Sequence, residues 1–160
     1  MDDLGYTPTT LGVEDARKKT VGVSSEIFDM IGIKGGRTTE TGAQVSTCEE
    51  DPDHLFSSRH PWGLFGVSDE ELTAGFARLK ENLPKRGWKI VEYGPNSSAA
   101  KTLELTADSG KDHYAVNAEL RVDTDPTKNH PSATKKSSIQ VRVVSGCFRA
   151  PEGTDLNGIY

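Results

Sequence analysis

Between Glu49 and His60 the sequence bunches carboxylates and imidazoles: Glu49, Glu50, Asp51, Asp53, His54 and His60. Such groups hold divalent cations, and the four that would ligate one are Asp51, Asp53, His54 and His60. Their spacing fits neither an EF-hand loop nor the HExxH pattern, so a solvated acidic loop is the better account and no metal is expected. His113 and His130 fall in turns and read as exposed. Ser145-Gly146 and Gly66-Val67-Ser68 lack the GxSxG frame of a nucleophile elbow, and no spacing links a Ser, a His and an Asp into a triad. Lys34-Gly35-Gly36-Arg37-Thr38 follows a helical pattern instead of preceding one, which makes it a helix stop and not a phosphate loop. No catalytic residue and no cofactor is assigned. Trp62, Phe65, Trp88 and Tyr93 are the residues that would line a ligand cleft between sheet and helix, although aromatic residues at strand positions are more often core.

The two cysteines, Cys48 and Cys147, each stand near the end of an expected strand. If those strands are neighbours, a disulfide between them is geometrically reasonable and would close the fold like a clasp. Such a bond implies an oxidising compartment. Neither cysteine lies in a CxxC or at a helix N-terminus that would activate it, which argues against a catalytic thiol.

The elements that must position these residues follow from periodicity. From Val13 to Ile33, Ala16, Thr20, Val23, Ile27, Met30 and Ile31 recur at three- and four-residue steps and predict a helix. Glu14 and Asp15 favour its N-terminal end, and Gly35-Gly36 supply the stop. Thr38 to Glu49 alternates weakly as a strand, Leu55 to Pro61 continues the acidic loop, and Trp62 to Val67 is a second strand. Ser68-Asp69-Glu70-Glu71 is a capping box opening a helix whose buried face is Leu72, Phe76, Leu79 and Leu83 and whose stop is Gly87. The period then switches to two, with strands at Trp88–Tyr93, Lys101–Ala107, Tyr114–Val122 and Ser137–Cys147. In the last of these Ile139, Val141 and Val143 share one face and Gln140, Arg142 and Val144 the other.

The expected fold is α+β: a two-layer sandwich in which an antiparallel sheet of about five or six strands is covered on one face by two helices. At 160 residues one core is the natural size, giving a tether at 1–12, a single domain at 13–150 and a tail at 151–160. The net charge of −5 is concentrated early, with 8 basic and 14 acidic residues up to Lys80 against 11 and 10 after it. No basic stripe exists to bind a phosphate backbone, so nucleic acid is excluded as a partner. No apolar run approaches the roughly 20 residues of a membrane span. Met1 is followed by Asp2 and Asp3, where a signal peptide would need a basic then apolar stretch, so the expectation is of an export signal already removed, the alternative being a cytosolic protein that never had one.

The order of these elements, with Leu-Lys-Glu-Asn-Leu-Pro-Lys-Arg-Gly-Trp at 79–88 and Val-Val-Ser-Gly-Cys at 143–147, resembles small secreted lipoproteins of actinobacteria over residues 13–151. That resemblance implies an extracellular, cell-envelope location and lipid anchoring of the full-length precursor, through an anchor cysteine absent from this chain. The functional expectation is a non-enzymatic exported domain that binds a protein or small ligand at the cell envelope through its sheet face or the acidic loop. Two alternatives are a metal-dependent hydrolase using the acidic segment with His54 and His60, and a secreted inhibitor presenting the loop from Glu49 to Pro61 or that from Asp123 to Lys136.

Overall fold

The computed structural model describes residues 5–39, 41–97, 102–109, 113–122 and 137–157. Its spine is β3 (Leu55–Phe65), which is paired on both sides. One side takes β7 (Ser138–Val144), from Arg59 opposite Val144 to Phe65 opposite Ser138, and β8 (Phe148–Arg149) opposite Leu55 and Phe56. The other side takes β2 (Gln44–Thr47) opposite Phe56 to Arg59, and β1 (Arg37–Thr38) opposite Leu64 and Phe65. From β7 the sheet runs outward through β6 (Ala115–Arg121) and β5 (Leu103–Asp108) to an edge at β4 (Lys89–Pro95). All these ladders are antiparallel, and the two helices pack on the sheet.

Leu55 to Pro61 was expected to be loop and is instead the first half of the spine. The acidic turn is correspondingly short: Cys48 N–H donates to the Leu55 carbonyl, and Leu55 N–H to that of Asp51, closing a hairpin around residues 48–55. The alternation expected for the C-terminal strands holds. Ile139, Val141 and Val143 on β7 lie between Leu64, Trp62 and His60 on β3 and Leu120, Ala118 and Val116 on β6, all buried and facing the helices.

Helix α1 (Val13–Ile31) buries Ala16, Thr20, Ser24, Ile27, Met30 and Ile31. Ser24 takes the inward position that periodicity gave to Val23, which is only half-buried. The helix stops at Gly32, not at Gly35-Gly36; Gly32 adopts φ 68°, a left-handed conformation that needs no Cβ. Its last carbonyls are taken by the second helix, α2 (Asp69–Lys85), where Arg78 Nε donates to Ile31 O and Asn82 Nδ2 to Met30 O. In α2 the Ser68 hydroxyl accepts from Glu71 N–H at 3.1 Å, as the capping pattern requires. At the other end Trp88 N–H reaches Leu83 O and Gly87 N–H reaches Pro84 O around Gly87 at φ 90°, a Schellman stop. Leu72, Phe76, Leu79 and Leu83 are buried as the period of the sequence implies.

Cys48 and Cys147 form a disulfide with Cα atoms 6.4 Å apart. Tyr6, Thr9 and Leu11 near one end and Leu156 near the other make contacts with the domain. Arg149 N–H donates to Thr9 O, Leu11 N–H to Arg149 O, and the Tyr6 hydroxyl accepts from Cys147 N–H at 2.9 Å. Tyr6 also stacks on His113 at 3.7 Å, and Leu156 is buried in the core.

Candidate functional site

Pro61 creates the site. In β3, Gly63 directs both its N–H and its carbonyl to Thr39, and the Pro61 carbonyl accepts from the Thr41 hydroxyl at 2.9 Å. Residue 61 therefore faces the β1–β2 side, where proline has no N–H to give to a ladder. The β1 ladder ends with Thr38 opposite Leu64, and the β2 ladder begins with Gln44 opposite Arg59. The Thr41 carbonyl meets His60 Nε2 at 2.6 Å, and on the other ring nitrogen His60 Nδ1 meets the Ser24 hydroxyl of α1 at 2.7 Å. Ser24 is 4% exposed and His60 9%.

A cleft of about 180 Å³ opens over this pair, between α1 and the β1–β3 margin. Val21, Phe28 and Trp62 give it apolar walls, and Phe28 and Trp62 meet with ring centroids 6.2 Å apart. Ser24, Ser25, Thr38, Thr39 and His60 contribute the polar part of the lining. Trp62 is 5% exposed, and its indole N–H, buried, has no acceptor among the described residues. Apolar walls with a few convergent polar groups are the composition of a ligand pocket.

The residues singled out from sequence are dispersed. Asp51 and His54 meet each other in the hairpin turn, where His54 Nδ1 donates to Asp51 Oδ1 at 2.9 Å. That hydrogen bond from His54 holds the Asp51 carboxyl below its ordinary range. Asp53 is exposed in the same turn. His60 is turned inward, and its two nitrogens are taken by Ser24 and Thr41 instead of joining His54. Among the described residues one group of three potential metal ligands lies within 4.8 Å: Cys48, Glu50 and Cys147. Two of the three are joined in the disulfide, which leaves no thiolate to bind a cation.

Of the four aromatic residues, Trp62 lines the cleft, whereas Trp88 is buried behind the end of α2 and Phe65 is half-buried at the end of β3. Tyr93 lies on the edge strand, 44% exposed, beneath Lys80 Nζ at 4.3 Å. It borders a separate depression with Ala77, Pro84 and Ile90. His130 and the Asp123–Lys136 loop lie outside the described residues.

Sequence reasoning missed Ser24, whose signal was its place on the Ala16–Thr20–Ile27 face, and Thr41, which acts through its carbonyl and has no side-chain signature. No family model, curated protein or solved structure matches the chain. What fold and site define is a disulfide-closed α+β sandwich with a small cleft beside a buried Ser–His pair. Among the described residues no helix is long and apolar enough to cross a membrane, and the disulfide is compatible with an extracellular location.

Proposed function

We propose that the protein is an exported cell-envelope domain that binds a small ligand, or one side chain of a partner protein, in the cleft between α1 and β3. The observation that carries this reading is the cleft itself, apolar-walled and lined on one part by hydroxyls and an imidazole. Its roughly 180 Å³ is below the roughly 300–1,000 Å³ of pockets for drug-sized molecules. It is close to the roughly 150 Å³ cavity that accepts benzene, so the occupant is about one aromatic ring or branched aliphatic group in size. The unpartnered Trp62 N–H favours an occupant that also carries a hydrogen-bond acceptor. Export is supported by the Cys48–Cys147 bond, and lipid anchoring rests on the resemblance of residues 79–88 and 143–147 to secreted lipoproteins.

The probe is p-cresol, titrated into a Trp88→Phe variant so that Trp62 alone reports by fluorescence. A saturable change is expected, and Ser25→Phe, which fills the rim without adding a second tryptophan, abolishes it. A response that does not saturate, or that survives Ser25→Phe unchanged, removes the cleft as the binding site.

A further inference from the structure

The geometry points to Ser24 as a nucleophile that accepts the acyl group of small esters, with His60 as its base and the Thr41 carbonyl orienting that base. The inference rests on the cleft being a ligand site and adds chemistry to it.

A carbonyl oxygen only accepts, so the 2.6 Å contact to Thr41 O places a proton on His60 Nε2. In the neutral ring Nδ1 is then the lone-pair nitrogen, and at 2.7 Å the Ser24 hydroxyl donates to it. This is the protonation pattern a serine nucleophile requires, and the carbonyl here fixes the tautomer as a carboxylate does in a Ser-His-Asp triad. The alternative for a serine inside a helix is to bond back to the carbonyl four residues earlier. Thr20 does so in the same helix, donating to Ala16 O at 2.9 Å, whereas Ser24 turns to the imidazole.

Both groups border the cleft while lying almost wholly below the surface, so an ester bound there meets a hydroxyl already aligned with its base. Charge developing on the ester oxygen has donors available in the same lining. Thr39 Oγ1 accepts from Gly63 N–H at 3.0 Å, which leaves its own proton to give, and Ser25 of α1 also lines the cleft.

The step is a balanced acyl transfer. The Ser24 proton passes to His60 Nδ1 as Oγ bonds to the carbonyl carbon. The carbon–oxygen bond to the leaving alcohol breaks, and that alcohol departs with the proton. Water, deprotonated by the same nitrogen, then releases the carboxylic acid and restores the hydroxyl. The cleft's volume confines the acyl or alcohol part to about one ring or a short branched chain.

The test uses the full chain and p-nitrophenyl acetate, reading nitrophenolate release, intact mass and the modified peptide. The expected result is a burst of about one nitrophenolate per chain with the acetyl group on Ser24. Ser24→Ala abolishes the burst, and His60→Gln slows it by at least about 100-fold. The wild-type peptide map decides the matter even where a variant folds poorly. No acetyl group on Ser24, or acetylation of lysines alone that Ser24→Ala leaves unchanged, overturns the inference and leaves the pair a structural contact. In that event p-cresol binding by Ser24→Ala tells the two readings apart: retained binding removes only the nucleophile, and lost binding in both proteins removes the cleft as a ligand site as well.

Discussion

Replacing both cysteines, as Cys48→Ala with Cys147→Ala, tests how much of the stability rests on the clasp. The bond spans a sequence separation of 99 residues. Loop-closure entropy for that length, with about 2.1 plus 1.5R ln n in cal/mol/K, comes to about 16 cal/mol/K, or about 4.7 kcal/mol at room temperature. The folded state changes little, because Cys48 is also held by its N–H bond to Leu55 O and Cys147 by its N–H bond to the Tyr6 hydroxyl. The loss therefore acts through a freer unfolded chain, and in a domain of this size about 2–4 °C per kcal/mol gives a melting temperature about 9–19 °C lower. Denaturant unfolding should show the midpoint falling and the m-value rising, since the unlinked chain exposes more surface. A double variant within about 1 kcal/mol of the parent, with the same m-value, would refute loop closure as the source of the bond's contribution.

Glycines separate open space from close approach. Gly22→Ala in the middle of α1 meets nothing within 4 Å and should raise stability by about 0.5–1 kcal/mol, checked by the denaturation midpoint. Gly75→Ala places a Cβ 2.6 Å from Ile33 Cδ1 and 2.9 Å from Ile31 Cγ2, and is expected to lower stability by about 1–3 kcal/mol; an unchanged midpoint would mean that α2 and the end of α1 are not in contact there. For the Asp51–His54 pair, the Asp51 carboxyl is lowered in the folded state, so its contribution to stability is complete above the unfolded carboxylate value and is lost as pH falls through the folded one. Carbon-13 NMR titration should place the Asp51 midpoint below that of an ordinary aspartate, and His54→Ala should return it; equal midpoints in the two proteins would contradict the hydrogen bond as the cause.

Periodicity carried the helices and strands β5 to β7 because each has a buried face and a more exposed one. Leu72, Phe76, Leu79 and Leu83 on α2, and Ile139, Val141 and Val143 on β7, alternate as their elements demand. The middle of the chain misled for a physical reason. Proline at 61 normally marks a loop, yet here it sits in a spine strand, on the side where the neighbouring chain lacks a ladder partner. Helix α1 ends at Gly32, the first of three glycines near its end that could take the left-handed conformation, and Arg78 and Asn82 of the next helix take up carbonyls of its last turn, a tertiary contact without a local signature. The disulfide was legible from two cysteines at strand ends. The site was not, since it joins Ser24 on a helix, His60 on a strand and a main-chain carbonyl at Thr41. The acidic segment is contiguous in sequence, whereas the polar pair that the fold makes is 36 residues apart.

The most direct measurement is a nitrogen-15 chemical-shift map of the protein during titration with p-cresol. The account expects the largest saturable shifts at Val21, Ser24, Ser25, Phe28, Thr39 and the Trp62 indole N–H, the groups around the cleft. Shifts centred instead on Tyr93, Ile90 and Lys80 would place binding in the depression beside α2 and contradict the α1–β3 cleft as the functional site.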